Sequence, residues 1–231
     1  MDLLTLTMSL LMQLETETEG EFEVIVVHDR EIGYPEAWEL MPGLDYPLVK
    51  LLTNQDSIAG LYNQGVMSAQ GKFICLMHND VRVEKGWNVE LERLAAEGNI
   101  AFPRIIEDWG DSLSRGFRPM DTSIPPSCCV MMKRSRWQEL GGMNEVYKGM
   151  HFEDMDLYRR ALGKRIGLVE AETQIEHRRA TTRQYVDRAD MNEYMLTNKV
   201  FYFDRHGLQL PIFTRRESNG KGSDTMANKT S

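Results

Sequence analysis

The segment Gly149–Arg160, GMHFEDMDLYRR, gathers three carboxylates, Glu153, Asp154 and Asp156, into four positions and then turns basic. Two physical readings fit it. Acids favour the first turn of a helix, where free N–H groups and the helix dipole stabilise negative charge. Alternatively, one of the three is placed to take a proton from a substrate hydroxyl. Other reactive side chains stand at the ends of apolar runs. EFEVIVVHD ends in His28 and Asp29, KFICLMHND ends in His78, Asn79 and Asp80, and QIEH ends in His177, followed by Arg178, Arg179 and Arg183. Carboxylate oxygen with imidazole nitrogen suits a site for Mn2+ or Mg2+ that also holds a diphosphate. A basic run beside it could neutralise phosphate oxygens through charge-assisted hydrogen bonds, although such runs more often mark a solvated face. Asp80 could equally cap a turn, and Asp29 could accept an N–H from a nucleobase or cap its own turn.

Those residues need a scaffold, and the hydrophobic pattern supplies one. Leu3, Leu6, Leu10, Leu11 and Leu14 recur at helical spacing over residues 2–14. The runs EFEVIVVHD and KFICLMHNDV read as strands buried on both faces, and LVKLLT as a further strand. Between them, SIAGLYNQGVMSAQG is a helix presenting Ile58, Leu61, Tyr62, Val66 and Met67, stopped by Gly71. WNVELERLAAEG is a helix closed by Gly98, NIAFPRII a strand, CCVMMK a short strand, and RSRWQELGG a short helix stopped by Gly141 and Gly142. A helix runs from Asp154 to Leu162, IGLVEAETQIEH is a last strand, and residues 185–208 form an amphipathic helix. YPEAWELMPGLDY reads as connection, and residues 107–127 as a long loop whose length makes it a functional suspect. Strands alternating with helices predict an α/β fold with a largely parallel central sheet flanked by helices. In such sheets ligands bind beyond the carboxyl ends of the strands, where the polar tips lie.

The totals narrow the function further. A chain of 231 residues buries one substantial core, so residues 1–215 are expected to form a single domain and the polar residues 216–231 a disordered tail. A net charge of −8 disfavours extended phosphate contacts with nucleic acid. Cys75, Cys128 and Cys129 make no disulfide framework and no zinc-type spacing, which fits a reducing, cytoplasmic compartment. The N-terminal residues lack the basic region of a signal peptide, and no apolar run is long enough to span a membrane.

In order along the chain, FEVIVVHD, then SIAGLYNQGVMSAQGKFICLMHNDV, then WQELGGMNEVYKGMHFEDMDLYRRALGKRIGLVE, then IEHRRATT resemble the family-2 glycosyltransferases of GT-A fold, across roughly residues 3–183. The resemblance implies a GT-A-like nucleotide-diphospho-sugar transferase. HND occupies the place of the family's Asp-x-Asp motif, so Asp80 would bind the divalent cation, Mn2+ or Mg2+, that bridges the donor diphosphate, with His177 and His78 completing the metal site. Asp154 matches the general base; Glu153 beside it either orients the acceptor or is structural, and Asp156 caps or orients the helix. Asp29 matches the acid that reads the nucleotide base, and Asn63, Asn79, Gly142, Arg178 and Arg179 fall where the donor is held. The implied reaction is inverting transfer of a sugar from a nucleotide-sugar donor, most commonly a UDP-sugar, to an acceptor glycan, protein or other hydroxyl compound.

Three departures qualify the pattern. The chain opens in the family's first helix, with no counterpart of the preceding strand and its Pro-x-Tyr-Asn-like turn, so an oligomer or partner replacing that strand is one expectation. His78 stands where the family places an acid. No Gln-x-x-Arg-Trp motif is present, which implies a nonprocessive enzyme. The alternative is a catalytically silent or partner-dependent nucleotide-sugar-binding subunit of the same fold. A nucleotidyltransferase would want a Gly-rich N-terminal phosphate loop, which the sequence lacks.

Overall fold

A computed structural model describes residues 3–29, 44–55, 57–107, 127–178 and 188–208. The elements are α1 (Leu3–Glu17), β1 (Val24–Asp29), β2 (Leu48–Thr53), α2 (Ile58–Ser68), β3 (Phe73–Met77), β4 (Val81–Arg82), α3 (Trp87–Ala96), β5 (Ile100–Glu107), β6 (Cys129–Lys133), α4 (Arg134–Leu140), α5 (Glu153–Gly163), β7 (Leu168–His177) and α6 (Arg188–Arg205). The expected elements are all there. The segments 30–43, 108–126, 179–187 and 209–231, which hold most of YPEAWELMPGLDY, the long loop, Arg179 and the polar tail, lie outside the described residues.

Five strands form one sheet in the order β3-β6-β5-β7-β4, and β1 pairs in parallel with β2 in a second sheet. The α/β class holds, but the larger sheet is mixed rather than largely parallel: β5–β7 is parallel, while β3–β6, β5–β6 and β4–β7 are antiparallel. The apolar runs report burial on both faces, which a central strand has in either direction. Direction is set by whether the connection returns across the sheet, and that is not written in the run itself.

Helices cover both faces of the larger sheet. On one side Ile74, Leu76, Val130 and Met132 pack with Ala59 and Val66 of α2, Trp137 and Leu140 of α4, and Leu157 and Ala161 of α5. On the other, Cys129, Met131, Ala101 and Ile175 pack with Leu10 and Leu14 of α1 and Trp87, Leu91 and Leu94 of α3. Alternate residues of β6 therefore serve opposite cores, and burying each large side chain stabilises by about 1.5–3 kcal/mol. Two expectations of burial fail. Met67 is 83% exposed, because α2 turns Ala59, Gly60 and Val66 inward instead. Val24–Val27 are only half-buried, since β1 pairs with β2 alone among the described residues.

A third cluster joins α6 to the segment before α5. Tyr147, Phe152 and Tyr202 are buried together, with Met155, Met195, Phe201, Phe203 and Leu208 against them. Phe201 meets the Tyr147 ring edge-on, with centroids 5.3 Å apart. This contact decides where the acidic segment sits.

Candidate active site and metal centre

The strand register brings the first group together. Val81 of β4 lies opposite His177 of β7, so Asp80 meets His177, and the Arg178 N–H closes the turn on the Asp80 carbonyl at 3.0 Å. The His78 N–H extends the β3–β6 ladder to the Cys128 carbonyl at 2.9 Å. The result is a cluster in which one ligand atom from each of His78, Asp80 and His177 lies within 4.8 Å of the others. Asp80 Oδ1 is 3.3 Å from His177 Nε2 and 3.8 Å from His78 Nδ1. Yet Asp80 Oδ1 and His177 Nδ1 are both buried without a hydrogen-bond partner. Leaving such groups unsatisfied costs about 1–3 kcal/mol each. Asp80 Oδ1, which faces His177 Nε2 and His78 Nδ1, therefore calls for a further atom, while the orphaned Nδ1 is the other ring nitrogen of His177, not the one facing Asp80. Burial pushes the His78 imidazole down to about 4, opposed by Asp80 and reinforced by His177. The ring is thus neutral at physiological pH, the form that ligates a cation. Two imidazoles and a carboxylate suit Mn2+ better than a hard oxygen-only site for Mg2+.

The acidic segment resolves into two roles. Asp156 is fully buried and structural. Its Oδ2 accepts from Arg160 Nε at 2.7 Å, and its Oδ1 lies 3.0 Å from both Arg205 Nε and His206 Nε2 and accepts from the Tyr147 hydroxyl at 3.3 Å. Arg160 also donates to the carbonyls of Leu140 and Gly142, tying α5 to the turn after α4.

Glu153 and Asp154 face elsewhere. Glu153 is 6% exposed and its Oε2 has no hydrogen-bond partner. Burial, and then the Asp154 charge, push its carboxyl up to about 8. Burial also raises Asp154, but hydrogen bonds from Ser127 and from the Met155 N–H favour its ionised form. Burial thus raises both carboxyls; the Asp154 charge adds to the rise at Glu153 and the two hydrogen bonds temper it at Asp154, so Glu153 is the member more disposed to hold a proton. Ser127 precedes Cys128, whose carbonyl receives His78, so the start of β6 connects the carboxylate pair to the metal-type cluster. Tyr62 and Tyr158 are close enough to this pair that burial, then the Glu153 and Asp154 charges respectively, push their hydroxyls well up.

Other expected donor residues are placed as follows. Asn63 accepts from the Met143 N–H at 3.0 Å and donates to the Met143 carbonyl and to Glu145, so its amide holds the turn after α4. Gly142, at φ +71°, lies in that turn, and a Cβ there would come 2.6 Å from Asn63 Oδ1. Asn79 donates to Thr7 of α1 at 3.0 Å. The Arg178 side chain is exposed beside His177, and Asp29 ends β1 opposite Thr53. The side chain of Asp29 and all of Arg179 are outside the described residues.

Sequence reasoning missed Ser127, Tyr62 and Asn198. Ser127 and Tyr62 carry no distinguishing signal. Asn198 does: it occupies a buried position on the Met195–Tyr202 stripe of α6, where an apolar residue belongs.

No protein-family model matches the chain, and no curated protein matches it. Solved structures do. TarS 1-349 from S. aureus in complex with UDP-GlcNAc matches with a TM-score of 0.60 at 14% identity, over 91% of this chain and 66% of that one. The same protein in complex with UDP gives 0.54 at 17% identity, over 87% and 62%. GalNAc-T7 with UDP, GalNAc and Mn2+ gives 0.59 at 10% identity, over 84% and 52%. The chain thus spans between 52% and 66% of the length of these structures. Among the described residues no helix is long and apolar enough to cross a membrane. What the comparisons establish is architecture: the chain has a GT-A-like α/β fold, the fold of these glycosyltransferase structures.

Proposed function

We propose that the chain is a nonprocessive, inverting glycosyltransferase that moves a sugar from a nucleotide-diphosphate donor to an acceptor hydroxyl. The observation that carries this reading is the His78–Asp80–His177 cluster, with Asp80 Oδ1 buried and without a hydrogen-bond partner, joined through Ser127 and Cys128, just before β6, to the buried Glu153–Asp154 pair. Proteins of this fold bound to UDP, to UDP-GlcNAc, and to UDP, GalNAc and Mn2+ support the donor class.

In this mechanism Asp80, His78 and His177 would hold Mn2+ or Mg2+. When bound, the ion neutralises charge on the departing nucleoside diphosphate. Arg178, beside His177, contributes further positive charge, with Arg179 next to it in sequence, and Asp29 at the end of β1 reads the base. Asp154, whose ionised form is favoured by hydrogen bonds from Ser127 and the Met155 N–H, accepts the acceptor's proton as the acceptor oxygen attacks the anomeric carbon opposite the leaving oxygen. Proton transfer of this kind contributes about 10²–10⁴-fold. Glu153, the member more disposed to hold a proton, leaves the negative charge of the pair to Asp154 and orients the acceptor beside it.

The half-buried strand β1 favours one addition to this reading, a partner strand supplied by another chain. The alternative, a subunit that binds nucleotide sugar without turnover, is separated by one experiment. Release of nucleoside diphosphate from a panel of nucleotide sugars with Mn2+ and mixed glycan and peptide acceptors is measured for the native chain and for Asp154→Asn. Transfer by the native chain alone supports the enzyme. Binding without turnover in both supports the subunit.

A further inference from the structure

The carboxylate pair projects from an unusual stretch of backbone. His151 and Phe152, neither of them glycine, have φ of +84° and +74°, a left-handed conformation that side chains resist and that persists only where the surroundings hold it. Phe152 is the residue immediately before α5, and no side chain caps the helix there. The chain enters the active segment through two consecutive disfavoured residues, and something must hold them.

Three elements do. The Ile58 N–H at the start of α2 donates to the Gly149 carbonyl at 2.8 Å. The Tyr194 ring of α6 packs against Gly149, where a Cβ would come within 2.7 Å of it. Most of the polar restraint comes from one side chain. Asn198 of α6, 2% exposed, donates its Nδ2 to the carbonyls of Lys148 at 2.8 Å, His151 at 3.1 Å and Met150 at 3.3 Å. Its Oδ1 accepts from the Lys148 N–H at 3.2 Å. Both N–H donors of this side chain and its carbonyl oxygen are thus engaged by residues 148–151. A helix packed by apolar contacts alone would place Leu or Met at this position on its stripe.

We propose that Asn198 is a positioning residue for the reaction: from α6 it holds the 148–151 carbonyls, and so keeps His151 and Phe152 in the turn that aims Glu153 and Asp154 at the acceptor. The proposal rests on the glycosyl-transfer reading for its catalytic consequence, but its structural core does not. A residue that merely adds stability would alter melting and leave the native geometry of the pair alone. A positioning residue alters the environment of Glu153 and Asp154 in molecules that remain folded. Glu153 is buried and follows Phe152 directly as the first residue of α5, so on this proposal release of the turn exposes its carboxyl, and its titration is the native-state reporter.

The test uses the full chain as Asn198→Ala, His151→Gly and the double variant. Glu153 ionisation is followed by carboxyl carbon NMR, and nucleoside diphosphate release from a UDP-sugar with Mn2+ is measured in parallel. In folded Asn198→Ala, the Glu153 proton affinity is expected to fall at least tenfold toward that of an ordinary carboxylate. Turnover should drop about tenfold or more, with the KM for donor changed less than twofold. Glycine adopts a positive φ without steric cost, so His151→Gly should restore part of both losses in the double variant, a coupling that the mutant cycle isolates. An unchanged Glu153 titration in folded Asn198→Ala overturns the proposal. So does a chain that fails to fold as Asn198→Ala and is not restored by His151→Gly, since Asn198 would then be a stabilising residue only. If the native chain turns over no donor, the glycosyl-transfer reading fails, and the titration alone decides whether Asn198 holds the pair.

Discussion

Replacing Glu153 by Gln removes one proton-binding group and almost no volume, which makes it a direct probe of the buried pair. Burial first, and then the charge of Asp154, push the Glu153 carboxyl up to about 8 from an ordinary 4.5. Between those pH values the native chain holds a proton that the unfolded chain has released, so stability falls as pH rises. The contribution is fully present below the unfolded value and lost on passing through the folded one. At 1.36 kcal/mol per tenfold ratio, the whole interval is worth on the order of 5 kcal/mol. Local opening of the turn gives the ionised carboxylate a route to water, so about 2–3 kcal/mol is the measurable part. Urea unfolding followed by tryptophan fluorescence, from about pH 5 to about pH 9, reads it. The native chain should lose about 2–3 kcal/mol more over this range than Glu153→Gln, which should also be the more stable at the alkaline end. His78 acts with the opposite sign and lower down. Its ring is pushed from 6.5 to about 4, so its contribution is present above the unfolded value and is lost as pH falls toward the folded one. The difference between the two chains cancels it. Parallel stability curves for the native chain and Glu153→Gln would refute the assignment of the retained proton to Glu153.

Other perturbations separate the roles of neighbouring residues. Asp154→Asn should leave nucleotide-sugar affinity within about twofold by calorimetry and reduce transfer about 10²-fold or more; full activity would remove Asp154 as the base. Asp156→Ala removes the buried acceptor of Arg160, Arg205, His206 and the Tyr147 hydroxyl, while Arg160 keeps the Leu140 and Gly142 carbonyls. Urea unfolding should therefore show a loss of about 1–3 kcal/mol, and no measurable loss would contradict its structural role. Gly149→Ala combines a disfavoured φ of +60° with a Cβ 2.7 Å from the Tyr194 ring. It should cost about 1–3 kcal/mol, read as a lowered midpoint in the same assay.

Much of this site is legible in the sequence, for identifiable reasons. His78, Asp80 and His177 end apolar strands, and the ends of strands in α/β sheets are where sites form. Their convergence, however, depends on the β4–β7 register that sets Val81 opposite His177. Strand β4 is two residues long, too short for periodicity to reveal. The acidic triplet announces a helix start and an active edge together, but only packing separates its members. Asp156 meets Arg160, Arg205 and His206 inside the protein, whereas Glu153 and Asp154 meet Tyr62, Tyr158 and Ser127. Strand direction is not legible, because apolar runs encode burial and not orientation. The inward face of α2 is only partly legible, because the small residues Ala59 and Gly60 pack there beside Val66, and a search for large apolar residues points to Met67 as well. Asn63 and Gly142 match the donor-side pattern, yet in the structure the Asn63 amide bonds Met143 and Glu145 in the turn after α4, and Gly142 leaves it the room a Cβ would fill. Residue type cannot distinguish those uses.

The central claim is that a metal-dependent nucleotide-sugar site is built on His78, Asp80 and His177. Thermal unfolding of the full chain with UDP, UDP-GlcNAc and other nucleotide sugars, with and without Mn2+, tests it most directly, because a ligand that binds only the native state raises the midpoint by mass action. The account expects a rise with at least one nucleotide sugar that is larger with Mn2+ and absent in Asp80→Ala. A midpoint that no nucleotide moves, or a rise that persists undiminished in Asp80→Ala, would contradict it.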